Sequence, residues 1–282
     1  MISDRLAEAV LTRGPVCVGL DPTPDVLPRS LAGLPLPEAV TRFNHEILDA
    51  TLDVAACYKV QIAHYEAMGV EGLRAYAATL RHIRGAGGIA IGDVKRGDIG
   101  ATSAMYAVAH LSGEFEADFV TLSPYLGFDT VAPFLPYLDR GTKGLFVLVR
   151  TSNPSAGDVQ DLRPGGTPVY LHVAELIRRW GEPYTGAAGF SAMGAVVGGT
   201  YPDELAQVRA AFPSLFLLVP GYGAQGAKAE DVARAFVGGT GAVVAASRSL
   251  IGAHQGKPGV RFAEHVRAAV LTMREEIRAC LP

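Results

Sequence analysis

Short, continuously apolar runs alternate along the chain with longer stretches whose apolar residues recur at helical spacing. Eight such runs stand out, at 16–20, 55–60, 89–93, 119–122, 145–149, 194–197, 215–219 and 242–246. Between them the pattern predicts helices over 65–84, 101–112, 202–212 and 228–237, and a last one over 261–279. A further helix over 3–13 precedes the first run, placed to cover the bottom of the molecule. Apolar runs without alternation predict strands buried on both faces, as in a parallel sheet. Regular β/α alternation points the same way. Eight units in 282 residues favour a closed (β/α)8 TIM barrel, with a doubly wound sheet as the alternative.

No inter-domain linker interrupts the pattern, so one barrel domain is expected over 1–282. The least regular stretch is 153–168, "NPSAGDVQDLRPGGTP", which follows the fifth run. In a barrel it lies on the face where active sites are built. It reads equally as an ordinary surface insertion.

Composition narrows the function classes. A formal net charge of −3 argues against a general nucleic-acid binder but leaves room for a local basic pocket that holds a small anion. Cys17, Cys57 and Cys280 are widely spaced, with no Cys-x-x-Cys pair to suggest zinc and an odd count that speaks against a disulfide framework. Charged residues appear at once after Met1, with no apolar signal core, and no apolar run reaches the roughly 20 residues of a membrane span. The expectation is a soluble protein of the reducing cytoplasm.

Polar residues gather at the C-terminal ends of the runs: Asp21, Lys59, Asp93 and Lys95, then Arg150 to Asn153, the turn "PGYGAQG" with Gln225, and Ser247-Arg248. In a barrel these positions converge on one mouth, which argues for an enzyme. Asp93 and Lys95 are two apart, so a strand would point both to one face. By itself that pair reads as a salt bridge holding the barrel end together. Lys59 and Asp98 add to it, and alternating carboxylates and ammoniums hold a lysine protonated and aimed, as a proton donor to an anionic carbon requires. Asp98 and Thr102 share a helical face, and Asp98 alone reads as an N-cap. The turn at 220–226, with Arg248 nearby, suggests a phosphate site, although glycines there also serve a tight turn. His64, His82 and His110 have no metal-ligand partners at helical spacing and read as surface or core residues.

The segment "DVKRGDIGAT", 93–102, resembles the Asp-x-Lys-x-x-Asp-Ile-x-x-Thr signature of the orotidine 5′-phosphate decarboxylases. "VGLDP" at 18–22, "YKVQIAHYEAMG" at 58–69, "SPYLGFDTVAPF" at 123–134, "RTSNPSAGDVQDL" at 150–162, "VPGYGAQGA" at 219–227 and "ASRSLIGA" at 246–253 agree in order. "TSNPS" and "PYLG" are similar to the longer bacterial branch of that family.

The resemblance implies a homodimeric (β/α)8 barrel without a cofactor or metal. It converts orotidine 5′-monophosphate to uridine 5′-monophosphate and carbon dioxide in new pyrimidine synthesis. It makes Lys95 the proton donor, with Asp93 and Lys59 completing a charged array that Asp98 joins from the partner subunit. Asp21 and Thr102, the latter also from the partner, contact the ribose. Ser152 holds the pyrimidine, and Gln225 and Arg248 serve the phosphate end. Two other readings stay open. One is a metal-dependent sugar-phosphate decarboxylase or aldolase of the same superfamily, whose members carry a magnesium-binding glutamate where this chain has Lys59. The other is a barrel that only binds a nucleotide. A Schiff-base lyase is disfavoured, since Asp93 and Asp98 oppose the deprotonated lysine it needs.

Overall fold

The computed structural model describes residues 1–257 and 261–281; 258–260 and Pro282, inside the span 1–282 expected for the barrel domain, lie outside the described residues. The eight apolar runs become eight parallel strands: β1 Val16–Gly19, β2 Cys57–Gln61, β3 Ala90–Arg96, β4 Phe119–Leu122, β5 Gly144–Arg150, β6 Met193–Val197, β7 Leu217–Pro220 and β8 Ala242–Ala246. They close in sequence order, β8 pairing back onto β1 through Val16–Val244 and Cys17–Ala245. A doubly wound sheet is thereby excluded.

The strands are buried almost throughout because helices cover them outside and side chains fill them inside. Phe119, Phe146 and Phe216 pack ring against ring from β4, β5 and the approach to β7. The N-terminal helix, Ile2–Arg13, buries Leu6 and Val10 and contacts β8. Among the described residues no helix is long and apolar enough to cross a membrane.

Several helices differ from expectation for local reasons. The stretch 65–84 divides into Ile62–Glu66 and Gly69–Gly85, because Gly69 takes φ of 71° and breaks the repeat. The stretch 228–237 is helical only over Ala229–Ala233; the chain then turns through Gly238 and Gly239, both at positive φ, with Val237 bridged to Thr240. Leu36–Thr51 and Val169–Gly181 are additional helices, each with one buried stripe. The irregular stretch after β5 carries three short helical turns, Pro154–Ala156, Gly157–Gln160 and Pro164–Gly166.

Candidate active site

A charged chain crosses the mouth of the barrel. The β2–β3 register sets Gln61 beside Asp93, one pleat above Lys59 and Ile91. Lys59 Nζ donates to Asp93 Oδ2 at 3.0 Å and to Asp21 Oδ2 at 3.4 Å. Lys95 Nζ donates to Asp93 Oδ1 at 2.6 Å. Gln61 Nε2 adds a bond to Asp93 Oδ2 at 3.0 Å, and Thr121 Oγ1 one to Oδ1 at 2.9 Å. Both carboxylate oxygens of Asp93 are therefore doubly bonded by donors, about what a carboxylate can accept.

These partners decide the charge states. Burial alone would push the Asp93 carboxyl up, but Lys59 and Lys95 outweigh it and hold it at about 2. Burial likewise works against the Lys59 ammonium, and the carboxylates of Asp21 and Asp93 outweigh that and raise it above the ordinary lysine range. Lys59 and Asp93 thus remain charged across the neutral range. The Lys95 side chain is 45% exposed where that of Lys59 is 11%, so of the two lysines on Asp93 it is Lys95 that is open to the cavity.

That cavity measures about 520 Å³. Its floor is apolar, with Leu148, Val196, Leu218 and Ala245 projecting from β5 to β8. Of the nine residues expected from the sequence, Asp21, Lys59, Asp93, Lys95, Ser152, Gln225 and Arg248 line it. Ser152 follows β5 and lies against Gly198, where a Cβ would stand 3.0 Å from the Ser152 Cα and Cβ. Gln160 braces the same turn, accepting from Thr151 N at 2.9 Å and donating to Thr151 Oγ1 at 2.8 Å. Gln225 sits in the glycine-rich turn after β7, where Gly221 takes φ of 110°. The turn's Tyr222 donates its hydroxyl to Glu276 of the Phe262–Cys280 helix. Arg248 opens the short helix Arg248–Ile251 after β8.

Asp98 and Thr102 are not brought into this cavity by their own chain. Thr102 is exposed and lines a shallow separate pocket with Ile99, Asp129 and Pro133. Asp98 is half-buried, and among the described residues its carboxylate accepts only the neighbouring Ile99 N–H, at 2.8 Å. It is not the N-cap of the Gly100–Leu111 helix, a position Ile99 occupies. Among the described residues it makes no ion pair.

Other cavity residues escaped the sequence reading. Gln61 was within reach, since it is two positions beyond Lys59 on the same strand. Thr121 gave no signal, being an ordinary strand former in an apolar run. His64 lines the cavity rather than a plain surface, because the Ile62–Glu66 helix starts directly at the mouth; its Nδ1 lies 3.3 Å from Pro22 O. Among the described residues no group of three or more His, Cys, Asp or Glu is placed to hold a metal ion.

Residues 14–261 match the model of the orotidine 5′-phosphate decarboxylase / HUMPS family. An orotidine 5′-phosphate decarboxylase from Petrotoga mobilis is 47% identical, covering 99% of each chain. One from Clostridium perfringens is 46% identical over 100% of this chain and 99% of its own. The crystal structure of a Toxoplasma gondii chain that carries the name orotidine-monophosphate-decarboxylase superposes with a TM-score of 0.85 at 32% identity, covering 98% of this chain and 96% of that one. With the barrel, the charged mouth and these full-length matches together, the chain belongs to the orotidine 5′-phosphate decarboxylase / HUMPS family.

Proposed function

We propose that this protein decarboxylates orotidine 5′-monophosphate to uridine 5′-monophosphate and carbon dioxide in pyrimidine biosynthesis, without a cofactor. It does so as one barrel domain over 1–282 that works as a cytoplasmic homodimer. The observation that carries the reading is the Lys95 ammonium locked 2.6 Å from Asp93 at the rim of the cavity. The full-length relatives named as decarboxylases support the same choice within the family.

Breaking the bond between the ring carbon and its carboxylate leaves the electron pair on that carbon, and carbon dioxide departs. No attached group takes up the charge. A fixed ammonium stabilises it as it develops, without reorganisation at the moment of reaction. Lys95 Nζ then gives the carbon a proton and recovers one from solvent. Lys59 and Asp93 hold the direction of that ammonium. Asp21 takes the ribose together with Thr102 of the partner subunit, Ser152 takes the pyrimidine, and Gln225 and Arg248 take the phosphate. Phosphate contacts far from the reacting carbon supply binding energy that orders the site. A cation at Lys59, held charged by two carboxylates, repels the divalent ion that a sugar-phosphate enzyme would need there.

A dimer is supported by apolar side chains left in solvent beside Asp98 and Thr102. Ile99 is 62% exposed and Met105 65%, with Val108 on the same helix and Phe128 on the short helix packed against it also exposed. A cluster of that kind marks an association surface. The deciding experiment mixes purified protein with orotidine 5′-monophosphate and follows the orotate-ring absorbance. Loss of that absorbance with formation of uridine 5′-monophosphate is expected, and an unchanged spectrum overturns the reading.

A further inference from the structure

We infer that Thr121, across the strand pair from Lys95, is the positioning residue that sets where the proton donor stands; the inference rests on the decarboxylase reading. Strands β3 and β4 fall out of step at the barrel mouth. Gly92 pairs with Val120 and Arg96 with Leu122, so four steps along β3 face two along β4. Surplus residues of this kind bend a strand and re-aim its side chains. Lys95 takes up the bend with φ of 44°, the one non-glycine positive φ among the described residues. An L-residue holds that conformation only when its surroundings impose it.

Thr121 is what imposes it. The N–H groups of Val94 and Lys95 fall in the broken part of the ladder, and both donate to Thr121 Oγ1 at 2.9 Å. The same hydroxyl donates to Asp93 Oδ1 at 2.9 Å. A hydroxyl has two lone pairs and one proton, so these three bonds use its whole capacity and force the proton toward Asp93. Asp93 Oδ1 in turn holds Lys95 Nζ at 2.6 Å. One buried atom therefore fixes both the backbone of the donor residue and the carboxylate that aims its ammonium. Its own strand is in regular register with β5 from Phe119–Gly144 to Leu122–Val147, so the anchor is firm where β3 is bent.

The test compares Thr121→Val, which keeps the shape and loses all three bonds, with Thr121→Ser, which keeps the hydroxyl. Melting, kcat, KM and binding of uridine 5′-monophosphate are measured for each. A misplaced donor lowers kcat of Thr121→Val about a hundredfold, with KM and product binding nearly unmoved. Thr121→Ser is expected to recover most of the rate. A role confined to stability would lower the melting point and leave kcat of the folded protein intact, and that result overturns the inference. So does a Thr121→Val protein whose loss lies in KM alone. Should Thr121→Val not fold, Thr121→Ala is read by the same criteria. Wild-type protein inactive on orotidine 5′-monophosphate overturns the decarboxylase reading and this one together. An active wild type beside an unaffected Thr121→Val overturns this one alone.

Discussion

The two lysines on Asp93 are not equivalent, and substitution separates them. In Lys95→Ala, Asp93 keeps Lys59, Gln61 and Thr121, and the group lost is half-exposed. The melting point should stay near that of wild type while kcat falls by about 10²–10⁴, the range for a positioned proton donor. In Lys59→Ala, Asp21 and Asp93 lose the buried cation between them. Breaking a buried pair costs about 3–5 kcal/mol, so this variant should melt well below wild type. Thermal melts and steady-state rates on both variants check the ordering; near-normal turnover in Lys95→Ala removes it from the proton-donor role. Arg248→Ala should weaken uridine 5′-monophosphate by about 1.5–3 kcal/mol, the worth of a charge-assisted contact, and leave uridine unaffected. Equal losses for both ligands, measured by calorimetry, would place Arg248 away from the phosphate. The spacing of Asp93 and Lys95 made their meeting legible, though by a simpler route than the structure takes. Plain alternation predicts the shared face, whereas a bend with Lys95 at φ of 44° delivers it. Register slips depend on a neighbouring strand, and no pattern within β3 records them.

At the level of elements, the strands were legible because each is a continuous apolar run, and boundaries moved by only a few residues. The stretch 153–168 is less so, since part of what holds it is a buried cation from the strand before it. Arg150, its side chain 2% exposed, reaches Gln160 at 3.3 Å and Asp161 at 3.2 Å and lies 3.9 Å from the Tyr201 ring centre. A second tie joins β3 to the Gly100–Leu111 helix: Arg96 Nε donates to His110 Nε2 at 3.3 Å. Burial, and then Arg96, hold the buried His110 at about 4. The unfolded chain binds a proton near the ordinary histidine pKa of about 6.5, so between there and 4 it carries more protons than the folded one. Stability from this group is full above about 6.5 and falls as the pH drops toward 4, by up to about 3 kcal/mol. Asp93, held at about 2, contributes its loss only below the ordinary carboxylate range. His45 and His254 are also held low, so the contribution of His110 is read as a difference. Denaturant midpoints between pH 4 and 7 should fall less steeply in His110→Gln than in wild type. Parallel curves would mean that His110 is not the group responsible.

At the scale of the whole molecule, Asp98 and Thr102 lie outside their own chain's cavity, and the proposed function has them act in a partner's. Neither hydrophobic periodicity nor charge spacing announces a second subunit, and only the family resemblance suggested one. The structure adds two physical reasons to look for it: a half-buried carboxylate without a cation among the described residues, and exposed apolar side chains on the element that follows it, Ile99, Met105 and Val108. A two-fold interface is self-complementary, so if Asp98 completes the opposite pocket, both pockets are completed by exchange. Mixing Lys95→Ala subunits with Asp98→Ala subunits then has a definite outcome. In a mixed dimer, the pocket built on the Lys95→Ala barrel receives its Asp98 from the other chain, which lacks it, and so carries both defects. The pocket on the Asp98→Ala barrel has its own Lys95 and receives an intact Asp98, and so carries neither. Two inactive parents should therefore give a hybrid with one working site, and a statistical mixture should recover about a quarter of wild-type activity if half its dimers are hybrids. If Asp98 served its own barrel, every pocket would keep one defect and mixing would restore nothing. Native mass spectrometry establishes that exchange has occurred before the rate is read. An exchanged hybrid without activity refutes the shared site and leaves the proposed chemistry at Lys95 to stand on its own evidence.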